Sequence, residues 1–161
     1  YDSVVGLICF TKSWGSPVHW GHYGDRHKGI AFGFSVNTDL LKKVIYKKRP
    51  AKVLLSDDGM DEDTFVNATL TKFKGWSYER EWRLVSDLNN NQDVIREKIG
   101  GEEILFHPFN KDLKPDKLVL GACCEISDKE IESVLKIYPD IDIIHTRLRR
   151  KYYRVEPVVV N

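Results

Sequence analysis

An α+β domain is the fold class this sequence predicts, and three observations predict it. Short runs rich in β-branched and aromatic residues recur along the chain, as at 4–10 and 30–34. A well-capped amphipathic helix stands near the C-terminal end, where Ser127 is followed three residues on by Glu130. Strand-like and helix-like segments do not alternate regularly, which speaks against a doubly wound parallel sheet. About seven strands in a mixed, largely antiparallel sheet and about four helices are expected, all in one domain over 1–161.

Each element has its own local reason. Residues 4–10 form a continuous apolar run, read as a buried strand. Ser16 and Pro17 supply an N-cap and a first-turn proline for a helix running to about His27, with Gly29 beyond its end. A second strand follows at 30–34. Asn37 caps a short helix through Leu40 and Leu41, and strands at 44–47 and 53–56 flank Pro50. The acidic 57–63 segment reads as a loop. A helix over 62–73 turns Phe65, Val66, Leu70 and Phe73 inward and stops at Gly75.

Residues 76–85 then read as a strand, on β-propensity and alternation of residue type. The 89–91 asparagine run is a turn, 94–99 a short helix, and 104–106 and 118–120 are strands. From Ser127, the residues Ile131, Val134, Leu135 and Tyr138 share one helical face until Pro139 ends it. Strands at 141–145 and 152–160 complete the chain, the second preceded by the basic run Arg147, Arg149, Arg150 and Lys151.

Composition narrows the class of function. Hydrophobic residues make up 42% and charged residues 30%, a globular balance without an apolar run long enough for a membrane span. With 25 Lys and Arg against 24 Asp and Glu the net charge is +1, so no global field draws the chain onto nucleic acid or membrane. Three cysteines, two of them the adjacent Cys123 and Cys124, make a poor disulfide framework and point to reduced thiols in the cytoplasm. The spacing of His and Cys matches no metal motif, so no metal ligand is assigned. The chain begins at Tyr1 rather than Met, which raises the expectation that upstream residues are missing.

Two constellations could carry chemistry. In the first, Trp20, His22, Tyr23 and His27 crowd the helix after Pro17. Helical spacing aligns His19 with Tyr23 and runs Trp20, Tyr23 and His27 into a stripe. An aromatic platform with a nearby imidazole suits a planar ring or a ribose, and equally suits packing against a sheet. In the second, a strand would project Glu79, Glu81 and Arg83 from one face, the two carboxylates about 7 Å apart along the backbone. Such a pair repels unless a cation intervenes, and unequal desolvation would separate their pKa values. Glu81 with Arg83 can also be a self-compensating exposed pair. Cys9 is a weaker nucleophile candidate, and the basic run near Tyr152 and Tyr153 a minority candidate for RNA.

Taken in order, Cys9-Phe10-Thr11, Trp20-Gly21-His22-Tyr23-Gly24, His27-Lys28-Gly29, Gly33-Phe34, the 76–84 segment Trp-Ser-Tyr-Glu-Arg-Glu-Trp-Arg-Leu and Leu118-Val119-Leu120-Gly121 resemble the bacterial family known as domain of unknown function 2971. The family's usual N-terminal portion, a Tyr-rich strand, a short helix and an Asn-Asp-Pro turn, has no counterpart ahead of Tyr1. A looser analogy is to ADP-ribosyltransferase-like enzymes, which hold NAD between a His or Arg, an aromatic and a glutamate. That analogy implies Glu81 and Glu79 with His22 and Tyr23 as catalytic residues, Trp20, His27 and Arg83 as ligand contacts, and NAD or another nucleotide as substrate. The alternatives are a non-catalytic binding or regulatory module of a bacterial defence or stress system, and RNA binding through the C-terminal basic run.

Overall fold

The computed structural model describes residues 5–53, 55, 56, 59–149 and 151–159. Val4, Leu54, Asp57, Asp58, Arg150 and Val160, on which expectations above fall, lie outside the described residues. The chain divides into two compact units, one from the described residues of Tyr1–Lys12 and Asn37–Pro108, the other from Ser13–Val36 and those of Phe109–Asn161. The α+β class stands, and the strands are shorter and more numerous than seven.

In the first unit, β1 (Val5–Phe10) lies antiparallel to β8 (Trp82–Asp87), which also pairs with β3 (Leu41–Lys43). Asn37 does cap a helix, accepting from the Asp39 N–H at 3.2 Å, but the helix is a 3₁₀ turn over Thr38–Leu40 and Leu41 already opens β3. β4 (Ile45–Lys47) runs parallel to β7 (Thr71–Phe73), with Tyr46 opposite Lys72. β5 (Leu55–Ser56) pairs antiparallel with β6 (Gly59–Met60), so part of the segment expected as an acidic loop is a short strand.

The helix expected over 62–73 is α2, Glu62–Thr69, capped by Asp61, whose carboxylate accepts from the Thr64 N–H at 2.8 Å. It stops four residues early because Thr71-Lys72-Phe73 finds a strand partner in β4, and Phe73 is 62% exposed rather than core. The helix expected at 94–99 is instead β9 (Ile95–Ile99), folded onto β10 (Glu102–Phe106). Gly100 and Gly101 both take positive φ, 63° and 92°, the backbone a two-residue hairpin turn demands. The 89–91 turn forms as expected, the Asp87 carboxylate accepting from Asn89 N–H at 3.0 Å and Asn90 N–H at 3.2 Å.

In the second unit the sheet order is β13-β12-β11-β2, from β2 (Ile30–Val36), β11 (Leu113–Leu120), β12 (Asp142–Leu148) and β13 (Val155–Pro157). Only β11 and β12 are parallel, and α3 (Asp128–Ile137) makes their crossover. The capping box is present at Ser127 and Glu130. Ile131, Val134, Leu135 and Tyr138 pack, as their spacing predicts, against buried Leu118, Leu120 and Ile141. A second cluster gathers Trp20, Val119 and Val155.

The helix from Pro17 is shorter than expected. α1 covers Pro17–Tyr23, and Gly24 closes it by donating to the Trp20 carbonyl at 3.2 Å. Asp25, Arg26 and His27 then turn left-handed, with φ of 43°, 53° and 72°, so His27 leaves the helix altogether.

Candidate functional site

The carboxylate pair is built by a turn rather than by the strand expected over 76–85. Gly75 and its neighbours form a 3₁₀ helix, Lys74–Glu79, and Arg80 takes the left-handed conformation (φ 49°, ψ 45°) before β8 begins. Reversing the chain at Arg80 turns the side chains on either side of it to one place. Glu79 and Glu81 are 5% and 4% exposed, an unusual depth for acids.

What sustains them there is Lys72, a residue the sequence reading did not single out. Its Nζ donates to Glu79 Oε2 and, at 2.9 Å, to Glu81 Oε2. Arg83 Nε donates to Glu81 Oε1 at 2.7 Å, and a guanidinium N–H of the same residue donates to the Thr69 carbonyl. The backbone is secured as well. Glu81 N–H donates to the Tyr46 hydroxyl at 2.8 Å, Val44 N–H to the Glu81 carbonyl at 3.0 Å, and the Thr11 hydroxyl to the Glu79 carbonyl at 2.8 Å. Lys72 also stands 5.4 Å over the Trp76 ring.

Two carboxylates face two cations, so the cluster is neutral, and its pKa directions follow from that. Burial pushes Glu81 up, but hydrogen bonds from Arg83, Lys72 and the Cys9 thiol outweigh it and hold the carboxyl at about 2. Burial alone would lower Lys72; bonds to Glu79 and Glu81 reverse this and hold its ammonium well above the ordinary lysine value. The bond to Glu81 raises Arg83. Cys9, opposite Arg83 in the β1–β8 register, is raised by burial and by its bond to Glu81, which favours the thiol over the thiolate.

The aromatic-histidine constellation belongs to the second unit. Trp20, 3% exposed, donates its indole N–H to the Trp14 carbonyl at 2.6 Å. The left-handed turn brings the His27 ring nearly parallel to it, at 6.0 Å and 18°. Burial lowers the His27 pKa, and its Nδ1 is buried without a hydrogen-bond partner among the described residues. Tyr23 is 67% exposed and lies 6.1 Å from the His22 ring and 6.5 Å from that of His19. The structure thus groups Trp20 with His27 and His22 with Tyr23 in one unit, and Glu79, Glu81 and Arg83 in the other.

The C-terminal basic run is partly neutralised. Glu156 takes Arg147 at 3.1 Å and Arg149 at 3.5 Å, and Arg149 also stacks 4.4 Å from the Tyr152 ring centre. Among the described residues no group of three or more His, Cys, Asp or Glu could hold a metal ion, and no helix is long and apolar enough to cross a membrane.

A second stretch that the sequence reading passed over is Lys42, Lys43, Lys47, Lys48, Arg49 and Lys52, with no acidic residue between Leu40 and Ser56. Lys47, Lys48 and Arg49 line a cavity of about 370 Å³ together with Lys72 and Phe73.

A model of the family described as "Protein of unknown function (DUF2971)" matches residues 19–84. DUF2971 is the family this chain resembles. The DUF2971 match covers less than half of the 161 residues, yet it contains Trp20, His22, Tyr23, His27, Glu79, Glu81 and Arg83, and also Lys72. No curated protein and no solved structure matches the chain.

Proposed function

We propose that this DUF2971-like chain is a small-molecule binding module, and that its paired glutamates build the site rather than perform glycosyl transfer. One observation carries the reading: both oxygens of Glu81 are already held by cations, Oε1 by Arg83 at 2.7 Å and Oε2 by Lys72 at 2.9 Å. A glutamate acting on NAD by the ADP-ribosyltransferase analogy must instead meet a ribose hydroxyl and the positive charge that develops at the sugar. At 4% exposure and with its charge matched twice, Glu81 is poorly placed for either task. It is well placed to fix Lys72 and Arg83. Tyr23, His22, Trp20, His27 and Glu79 then have no assigned step in a reaction, and nucleotides remain the ligand class for which binding is expected.

Incubation with NAD tests this directly. The module reading expects no nicotinamide release above a protein-free control, while Glu81→Gln lowers the melting temperature. Release that depends on Glu81 would overturn it.

A further inference from the structure

We propose that the cavity beside Lys72 binds a nucleoside diphosphate or triphosphate, with the phosphates on Lys47, Lys48 and Arg49 and the base on Phe73. The proposal rests on the binding-module reading and names that module's ligand. Because β4 and β7 are parallel, both strands run out at the same end, and their last residues, Lys47 and Phe73, stand side by side there. The chain leaving β4 adds Lys48 and Arg49, so three cations converge on one mouth. All three are exposed, and among the described residues none is engaged in an ion pair.

Among the described residues no acidic side chain lines the cavity, whose remaining walls are Pro50, Ala51, Val53, Ala68 and Thr71. Three cations around one open cavity, without a counter-ion among the described residues, repel one another, and an anion relieves that repulsion. The volume of about 370 Å³ falls in the range of small-ligand sites. Lys72 also lines the cavity, and its ammonium is held by Glu79 and Glu81.

An independent feature points to an aromatic ligand. Phe73 is 62% exposed, and its ring lies so close over Gly75 that a Cβ there would come within 2.7 Å of it. The glycine lets the ring settle against the backbone, so an apolar face is presented at the cavity rim in a supported position. Such a face suits stacking of a base.

Calorimetric titration of the full chain with ADP and, separately, with pyrophosphate is the test. Saturable one-to-one ADP binding is expected, weakened about 10-fold or more in the Lys48→Gln, Arg49→Gln double variant. Phe73→Ala should weaken ADP about 5-fold or more and leave pyrophosphate unchanged. These substitutions are at exposed positions, and an unchanged melting temperature confirms that each variant is folded. No saturable ADP binding, equal affinity in the double variant, or binding of single-stranded RNA in place of ADP would each overturn the proposal. Nicotinamide release from NAD bears on the module reading alone, so the two ideas fail separately.

Discussion

Glu81 and Arg83, two positions apart in the chain, are joined by a bond of 2.7 Å between Oε1 and Nε, and Lys72 takes the other oxygen of the same carboxylate at 2.9 Å. Removing the acid from this arrangement leaves two largely enclosed cations facing each other. Glu81→Gln is therefore expected to cost about 3 kcal/mol and to lower the melting temperature by on the order of 10 °C. Thermal unfolding followed by circular dichroism measures it. A shift of a degree or less would mean that the network is not what holds the first unit together.

The same carboxyl dictates a pH response. Its pKa in the folded protein, about 2, lies below its ordinary value of 4.5, so the unfolded chain binds its proton first on acidification. The stabilisation is complete above the unfolded value and is lost as pH falls from there toward 2. Lys72 has the opposite sign: raised in the fold, it stabilises fully below its ordinary value of 10.5 and loses that contribution only in strong alkali. Melting temperature plotted against pH should fall steeply in acid for the wild type and less steeply for Glu81→Gln. Parallel curves for the two proteins would rule the linkage out.

Arg80 makes the turn that delivers both glutamates, at φ 49°. A left-handed conformation costs an ordinary side chain about 1 kcal/mol and glycine little. Arg80→Gly should therefore be neutral or stabilising by up to about 1 kcal/mol, whereas the β-branched Arg80→Val should destabilise by more than that. Chemical denaturation of the two variants decides it, and the reverse order would contradict the turn.

Gly121 offers a sharper test in the second unit. A Cβ built on it would lie 2.2 Å from the His27 carbonyl oxygen, inside a junction where Gly121 N–H donates to Gly29 at 3.1 Å and Cys123 N–H to His27 at 2.9 Å. Both neighbours are backbone and cannot swing aside. Gly121→Ala is expected to cost about 3 kcal/mol. Retention of wild-type stability would show that the left-handed 25–27 turn yields easily.

Ser127→Ala should cost about 1 kcal/mol, since the hydroxyl and the Glu130 carboxylate cap each other's backbone at the start of α3. Denaturant titration would register it, and a value near zero would mean that the helix does not depend on its cap.

Locally encoded features were legible in the sequence. The capping box, the Asn37 cap, the asparagine turn and the buried face of α3 each depend on residues within a few positions of one another. The α+β class follows from their sum. What was not legible depends on pairing at a distance. Residues 71–73 continue a helical pattern until β4 supplies a strand neighbour, and 76–79 look extended until Arg80 is known to turn left-handed. The helix expected at 94–99 is a hairpin strand, for which Gly100-Gly101 between two apolar-bearing runs is the local signal. The glutamates and Arg83 could be found from their spacing. Lys72 could not, because only the 3₁₀ turn carries it to them, and the Lys47-Lys48-Arg49 patch was hidden by a net charge of +1 averaged over the whole chain.

The pairing of β2 with β11, Ile30 beside Leu120 and Val36 beside Leu113, has a consequence for how the protein is made. Each unit is assembled from two stretches of chain, and the stretches interleave. On the ribosome, α1 and β2 emerge early and then wait for the whole of 37–108 before their sheet partner exists, with the Trp20 surface unmet in the meantime. A fragment cut to the matched residues 19–84 would have neither β1 to lie against β8 nor β11 to lie against β2, so the stretch that resembles the family leaves two of its strands without the neighbours they have in the whole chain.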